Sequence, residues 1–332
     1  MANDPGLESL VSKSLITIKA ARAPSTRKLY SNYWNLFRSF CRTHDKVYLP
    51  ATTHTVLAFL QSYAEKSNSA SACHFISASI TAFHDTQGYP SPCNAKVVKL
   101  FLLGIKKTLS KPVIRKTPIS HDILVHILNH CLDTDLYSPY PTRPLPLWRE
   151  AIFELLAFLC MARFDDLARV LTSNITILPD KIVIFFPHRK NDQLKSGHYS
   201  YIQITNSHLC PKKIYLTYLV RLSSALGLPY IGPLLPKFIK QGNNHLVTTA
   251  TATYSSIRST QFLVLKAIGL DASQFGCHSS RRGSVKTAKA KGHTSSEVSV
   301  AGGWSANSVI PDNYDDDHKP RILTSVSNSL SL

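Results

Sequence analysis

The sequence is short of acidic side chains: 20 Asp and Glu stand against 38 Lys and Arg, a formal balance of +18 before any histidine protonates. Such an excess disfavours cationic partners and points to a polyanion. Long apolar runs are also missing. The densest, Leu155 to Ala162, falls well short of the roughly 18 residues that a membrane span needs. The opening MANDPGLESL has neither the basic start nor the apolar stretch of a secretion signal, so a membrane-free, intracellular protein is expected. Cysteines are few, odd in number and scattered (Cys41, Cys73, Cys93, Cys131, Cys160, Cys210 and Cys277), and none has CxxC spacing. That argues against a disulfide framework and a zinc site alike and predicts reduced, buried thiols. Cys277 and His278 are neighbours, but a metal would need two further ligands, and none is expected. Apolar residues, in contrast, are plentiful: 44% hydrophobic and 17% charged over 332 residues is enough for two cored domains, not a disordered basic tail.

The N-terminal third is the more basic part of the chain. Thr108 to Ser120 (TLSKPVIRKTPIS) combines two prolines with three basic residues and has no sustained apolar period. It reads as a linker. The expected division is a helical domain over 1–112, a linker over 113–120 and a second domain over 121–332. Leu29, Tyr33, Leu36, Phe37 and Phe40 recur at helical spacing, with Ser25 as a plausible cap. At about 100° per residue, Arg27, Arg38 and Arg42 fall within about 60° of one another on the other face. Lys96, Lys99, Lys106 and Lys107 share one side of a second helix. Any one of these cations is most simply a solvated surface residue; the collective excess is what favours contact with phosphate.

In the second domain an apolar helix from about Pro146 to Met161 leads to Ala162-Arg163-Phe164-Asp165-Asp166-Leu167, where Asp165 is a candidate cap. Ile175 to Leu178, the turn Pro179-Asp180, Ile182 to Phe186 and the alternating Tyr199 to Ile204 predict a small antiparallel sheet. Helical patterns follow at Lys212–Leu226, Ser255–Ala267 and Ser279–Lys291, with a last short stretch before Tyr314. The expected fold class is α+β and mainly helical.

Chemistry-bearing residues come in a particular order: Arg163 after the apolar helix, Lys190 in a turn after a strand, His278-Ser279-Ser280-Arg281 opening a helix, then Trp304 and Tyr314. Singly, each has an ordinary explanation as a salt-bridge partner, a solvated lysine or a packing aromatic. Together they resemble the tyrosine recombinase (phage integrase) family. The likeness extends to Arg163 to Leu167 as Arg-x-x-Asp-Leu, to His188-Arg189-Lys190-Asn191-Asp192-Gln193, to His278 to Gly283 as His-x-x-Arg-Arg-Gly, and to Gly302-Gly303-Trp304. Ser25-Thr26-Arg27-Lys28-Leu29-Tyr30 looks like part of the family's N-terminal core-binding domain. Within the family, the chain looks closer to eukaryotic mobile-element recombinases.

The resemblance implies a SAM-like helical core-binding domain that clamps duplex DNA and a catalytic domain with a small antiparallel sheet. It implies Arg163, Lys190, His278, Arg281, Trp304 and Tyr314 as catalytic residues and Asp166 as support for the site. Arg27, Lys28, Arg38, Arg42, Lys96, Lys99, Lys106, Lys107 and Arg282 are expected on DNA. No metal, cofactor or ATP is implied. The implied assembly is four protomers on two DNA sites, monomer or dimer off DNA, acting in the nucleus of a eukaryotic host and otherwise in the cytoplasm. Ile322 to Leu332 is a candidate docking segment. Departures from the family pattern lie around the tyrosine. Tyr314 comes one residue later after Trp304 than is usual, Pro311 would interrupt a helix carrying it, and Asp315 to Asp317 set negative charge beside it.

The chemistry agrees with the resemblance. A phenol with a pKa of about 10 is only about 0.1% ionised at neutral pH and needs a cationic setting to attack a phosphodiester. Forked guanidinium groups of Arg163 and Arg281 would neutralise the charge of a pentavalent transition state. His278 and Arg281, at i and i+3, could reach one phosphate, with the imidazole bonding to it or taking the phenolic proton. Lys190 would protonate the departing 5′ oxygen, with Lys195 as the competing choice. The Trp304 indole N–H could donate to a phosphate oxygen while its ring supports Tyr314. Two rivals stand beside this reading: a DNA-binding protein that has lost the nucleophile's function, and, less well matched, a type IB topoisomerase.

Overall fold

The computed structural model describes residues 5–111, 114–136, 138, 142–190, 192, 196–242 and 244–314. The chain divides into two units, Met1–Ile114 and Arg115–Leu332. The first contains helices α1 (Pro5–Ala20), α2 (Pro24–Thr43), α3 (Thr53–Ser67), α4 (Ala70–Thr86) and α5 (Lys96–Leu109). Hydroxyl caps start two of them: Thr52 accepts from the Thr55 N–H and Ser69 from the Ala72 N–H. The core is aromatic, with Trp34 stacked on Phe83 at 4.5 Å between centroids and Phe37 against Phe59 at 5.3 Å.

Two sequence expectations for α2 are corrected. Ser25 lies inside the helix, because Pro24, whose missing N–H costs nothing in a first turn, begins it one residue earlier after Ala23. Leu36 is 47% exposed, while Trp34 and Cys41 are buried with Phe37. The larger Trp34 ring takes the core position, and the buried arc of the helix turns toward it.

The second unit is built on α7 (Leu145–Leu159), buried nearly all round and packed against α6 (His121–Cys131), α9 (Pro211–Leu226), α10 (Tyr254–Ala267) and α11 (Ser279–Ala290). The short α8 (Phe164–Leu167) follows α7. A three-stranded antiparallel sheet, β1 (Ile175–Ile177), β2 (Lys181–Phe186) and β3 (His198–Gln203), lies in that order, with Ile175 opposite Ile184 and Phe185 opposite Tyr199. Ile182, Ile184 and Phe186 alternate into the core, as a half-buried strand requires.

A second hairpin, β4 (Pro236–Gln241) and β5 (Asn244–Thr251), was not expected from sequence. Its strands are polar, and of their inward residues only Val247 and Pro236 are buried, so apolar alternation hardly marks it. The last helices are α12 (Ser295–Ala301) and α13 (Ile310–Tyr314). Residues 115–120 pack on this unit: the Thr117 N–H donates to the Gln274 carbonyl and the Ile119 N–H to the Ser279 carbonyl. The architecture is α+β and mainly helical.

Candidate active site

The site forms where α7 ends. Met161 takes a positive φ of 47°, and the turn leaves the carbonyls of Cys160 and Met161 to side chains from elsewhere. Arg163, at the N-terminus of α8, donates its backbone N–H to the Asp166 carboxylate at 3.0 Å. Asp166, not the expected Asp165, thus satisfies the helix start, because it sits at the third helical position facing back toward the orphan donor. Its carboxylate is 0% exposed and lies 3.8 Å from Arg281 Nη1.

His278 precedes α11, and Arg281 lies in that helix's first turn, so both face the same end. Arg281 is fully buried. It donates through Nη1 to the Met161 carbonyl and through Nη2 to the Gly302 carbonyl at 3.2 Å, and it stacks 3.9 Å over the Trp304 ring. Burial, and next the Arg163 charge, pull its pKa down to about 9. The fork expected to open toward a phosphate is therefore turned onto protein carbonyls. His278 is held below the ordinary histidine value by burial first, then by Arg163 and Arg281. A neutral imidazole, able to accept a proton, is favoured.

Glycines make this packing possible. A Cβ on Gly283 would overlap the Ile119 carbonyl, so the His-x-x-Arg-Arg-Gly helix can lie against residues 117–119 only with glycine there. Gly303, at φ +69°, leaves room for the Arg189 guanidinium, and Gly302 for the Trp304 ring. Trp304 is 6% exposed, and its indole N–H has no hydrogen-bond partner among the described residues. Its ring lies 5.9 Å from that of Tyr314, tilted by 37°. Tyr314 is half-buried and lies near Arg281.

Pro311 does not break a helix: α13 begins at Ile310, so the proline occupies the first turn, where no N–H is needed. Lys289 pairs with Asp312 at 3.0 Å, Ser295 Oγ donates to the same carboxylate at 2.6 Å, and Arg115 donates to the Asn313 carbonyl at 2.9 Å. These ties fix α13, and sequence reasoning missed all of them, because partners so far apart in the chain leave no local pattern.

Arg163, His278, Arg281, Trp304 and Tyr314 thus gather at one place. Lys190 is exposed in the turn after β2. Lys195, Asp315 to Asp317 and Ile322 to Leu332 lie outside the described residues. Of the residues expected on DNA, Arg27, Lys28, Arg42, Lys96, Lys99, Lys106 and Lys107 are exposed. Arg38 is half-buried with its guanidinium 5.2 Å over the Tyr48 ring. Arg282 corrects the expectation: it is 7% exposed and donates to the Lys116 carbonyl, because the position after Arg281 turns inward toward residues 115–119. Among the described residues no group of three or more His, Cys, Asp or Glu could hold a metal. No helix among them is long and apolar enough to cross a membrane.

This fold is that of the tyrosine recombinases. A lambda integrase dimer bound to a COC′ core site superposes with a TM-score of 0.53 at 15% identity, over 93% of this chain and 95% of that one. A lambda integrase tetramer bound to a Holliday junction gives 0.52 at 16%, over 94% and 78%. In sequence, the chain is 23% identical over 290 residues to an integrase/recombinase XerD homolog of Selenomonas ruminantium, covering 85% of this chain and 78% of the relative. No family model matches the chain. The closer likeness to eukaryotic mobile-element recombinases finds no support among these relatives.

Proposed function

We propose that the protein is a site-specific DNA recombinase or integrase working through a 3′-phosphotyrosyl intermediate. The observation that carries this reading is the convergence of Arg163, His278, Arg281 and Trp304 beside Tyr314. The charges of Arg163 and Arg281 are felt by each other beside the buried carboxylate of Asp166, and the Tyr314 phenol lies at their edge. Such a site favours a bound anion.

In the reaction, Tyr314 Oη attacks the scissile phosphorus while the bond from phosphorus to O5′ breaks. His278 receives the phenolic proton, and Lys190 gives one to O5′, so a free 5′ hydroxyl leaves. Arg163 and the Trp304 indole N–H donate to the non-bridging oxygens. Arg281 adds its charge from beneath and reaches the phosphate only as the Met161 and Gly302 carbonyls release it. The phosphotyrosyl bond keeps the energy of the broken ester, so a second 5′ hydroxyl can religate the strand without ATP. The scheme assigns transition-state charge neutralisation to these side chains and calls on no cofactor.

The exposed cations of α2 and α5 support a DNA-clamping role for residues 1–112, in the first unit; residues 115–120 belong to the second. The second unit cuts and rejoins. The lambda integrase tetramer on a Holliday junction supports four protomers exchanging strands on two DNA sites. The place of action is the nucleus in a eukaryotic host and the cytoplasm otherwise.

The test is covalent capture. Wild-type protein incubated with a random-sequence pool of nicked duplexes should retain a subset through denaturing electrophoresis, and Tyr314→Phe should retain none. A band that persists in Tyr314→Phe misassigns the nucleophile. DNA retention under native conditions without any covalent band would favour a binding protein that has lost cleavage.

A further inference from the structure

The proposed reaction gives Arg189 no contact with the substrate, yet its side chain is buried right beside Lys190. Its side chain is 2% exposed. Nη2 donates to the Cys160 carbonyl at 3.1 Å, the guanidinium lies 4.3 Å over the Phe186 ring, and Gly303, which has no Cβ, leaves room for Nη1. Those contacts belong to three separate segments: the turn after α7 that presents Arg163, the end of β2 that leads into Lys190, and the Gly302-Gly303-Trp304 loop. Burying a guanidinium is costly, and Nε and Nη1 make no hydrogen bond among the described residues. A charge kept there at that cost calls for a purpose beyond filling space.

Asp192, two residues past Lys190, adds further ties. The Asp192 N–H donates to the Arg189 carbonyl at 2.9 Å, and the Asp192 carboxylate accepts from the Ser196 and Gly197 N–H groups at 2.9 and 2.8 Å. In sequence, Lys190 lies between Arg189 and Asp192.

We infer that Arg189 is a positioning residue that pins the β2–β3 turn to the Arg163 and Trp304 loops and so sets the reach of Lys190 to the leaving oxygen. The inference rests on the proposed role of Lys190 as the acid. Removing the pin should leave DNA binding and the Tyr314 nucleophile in place and slow only the protonation of O5′.

A duplex recovered by covalent capture, prepared with either oxygen or sulfur at the 5′-bridging position of the scissile phosphate, reads this directly. A thiolate, with a pKa of about 8.5 for its acid, leaves without a proton, whereas an alkoxide does not. Lys190→Ala and Arg189→Gln should both lose about 100-fold in cleavage of the oxygen ester and recover most of it on the sulfur ester. Arg189→Lys, which keeps charge without the fork, should behave like Arg189→Gln and serves where Gln does not fold. Recovery of Lys190→Ala but not of the Arg189 variants overturns the inference and makes Arg189 a direct phosphate contact. Wild-type oxygen-ester cleavage by Arg189→Gln, or failure of both Arg189 variants to fold, overturns it too. If Lys190→Ala itself is not recovered, the fault lies with the assignment of the acid.

Discussion

At the residue scale, the two arginines implied by the family pattern occupy different environments and should fail differently. Arg163 is half-buried at a helix start, whereas Arg281 is fully buried and bonded to two carbonyls. Lysine at either position keeps the charge and loses the fork, so cleavage should fall by about 100-fold while DNA affinity changes far less. Only Arg281→Lys should also lower stability, by roughly 1–3 kcal/mol, since it leaves buried carbonyls without donors. Gel-based cleavage, filter binding and thermal unfolding of both variants separate the effects, and equal losses of cleavage and binding contradict the assignment. His278 gives a pH test. Its pKa lies below the ordinary value of 6.5, so the imidazole stays neutral as pH falls past that point. The rate of covalent complex formation should hold steady from pH 7 down to 6.5 and fall only at lower pH. A midpoint at or above 6.5 would show that His278 is not the proton acceptor.

At the element scale, α11 is held by α7 and by residues 117–119. Glu154, wholly buried on α7, accepts from Gln261 Nε2 at 2.6 Å and from the Ser280 hydroxyl. Burial raises its pKa to about 6 against hydrogen bonds that lower it. A carboxyl with a raised folded-state pKa stabilises fully below its unfolded value of 4.5, and that stability is lost as pH rises through about 6. Glu154→Gln should therefore remove a pH-dependent contribution on the order of 2 kcal/mol, seen as a flatter stability curve in urea unfolding between pH 4.5 and 6.5. An unchanged slope would mean that Glu154 is ionised throughout. Gly283→Ala should lower the melting temperature and cleavage together, because its Cβ has no space beside Ile119; overpacking of this kind costs about 1–3 kcal/mol. Periodicity made most of these elements legible: the buried α7 and the alternating β2 were both readable. The β4–β5 hairpin was not, since strands that bury so little leave no alternation to detect.

At the scale of the whole molecule, the +18 balance carries its own consequence. Binding to duplex DNA should weaken steeply with salt, and replacing Lys96, Lys99, Lys106 and Lys107 by Gln should reduce the slope of log affinity against log salt by about 0.9 for each phosphate that is no longer neutralised. Fluorescence anisotropy at several salt concentrations measures it, and an unchanged slope would remove α5 from the DNA footprint. Charge excess, two cored units, a mainly helical α+β build and the ordered set Arg163, Lys190, His278, Arg281, Trp304 and Tyr314 could all be read from the chain, since composition, local period and residue order are written along it. Whether Arg282 faces DNA or the interior, that Arg281 turns its fork onto carbonyls, that Asp166 and not Asp165 closes the α8 start, and that Arg189 joins three segments were decided only by tertiary packing. The physical reason is common to all four: burial and hydrogen-bond partnership depend on which distant segments meet, and neighbours in sequence with the same side-chain chemistry can face opposite ways.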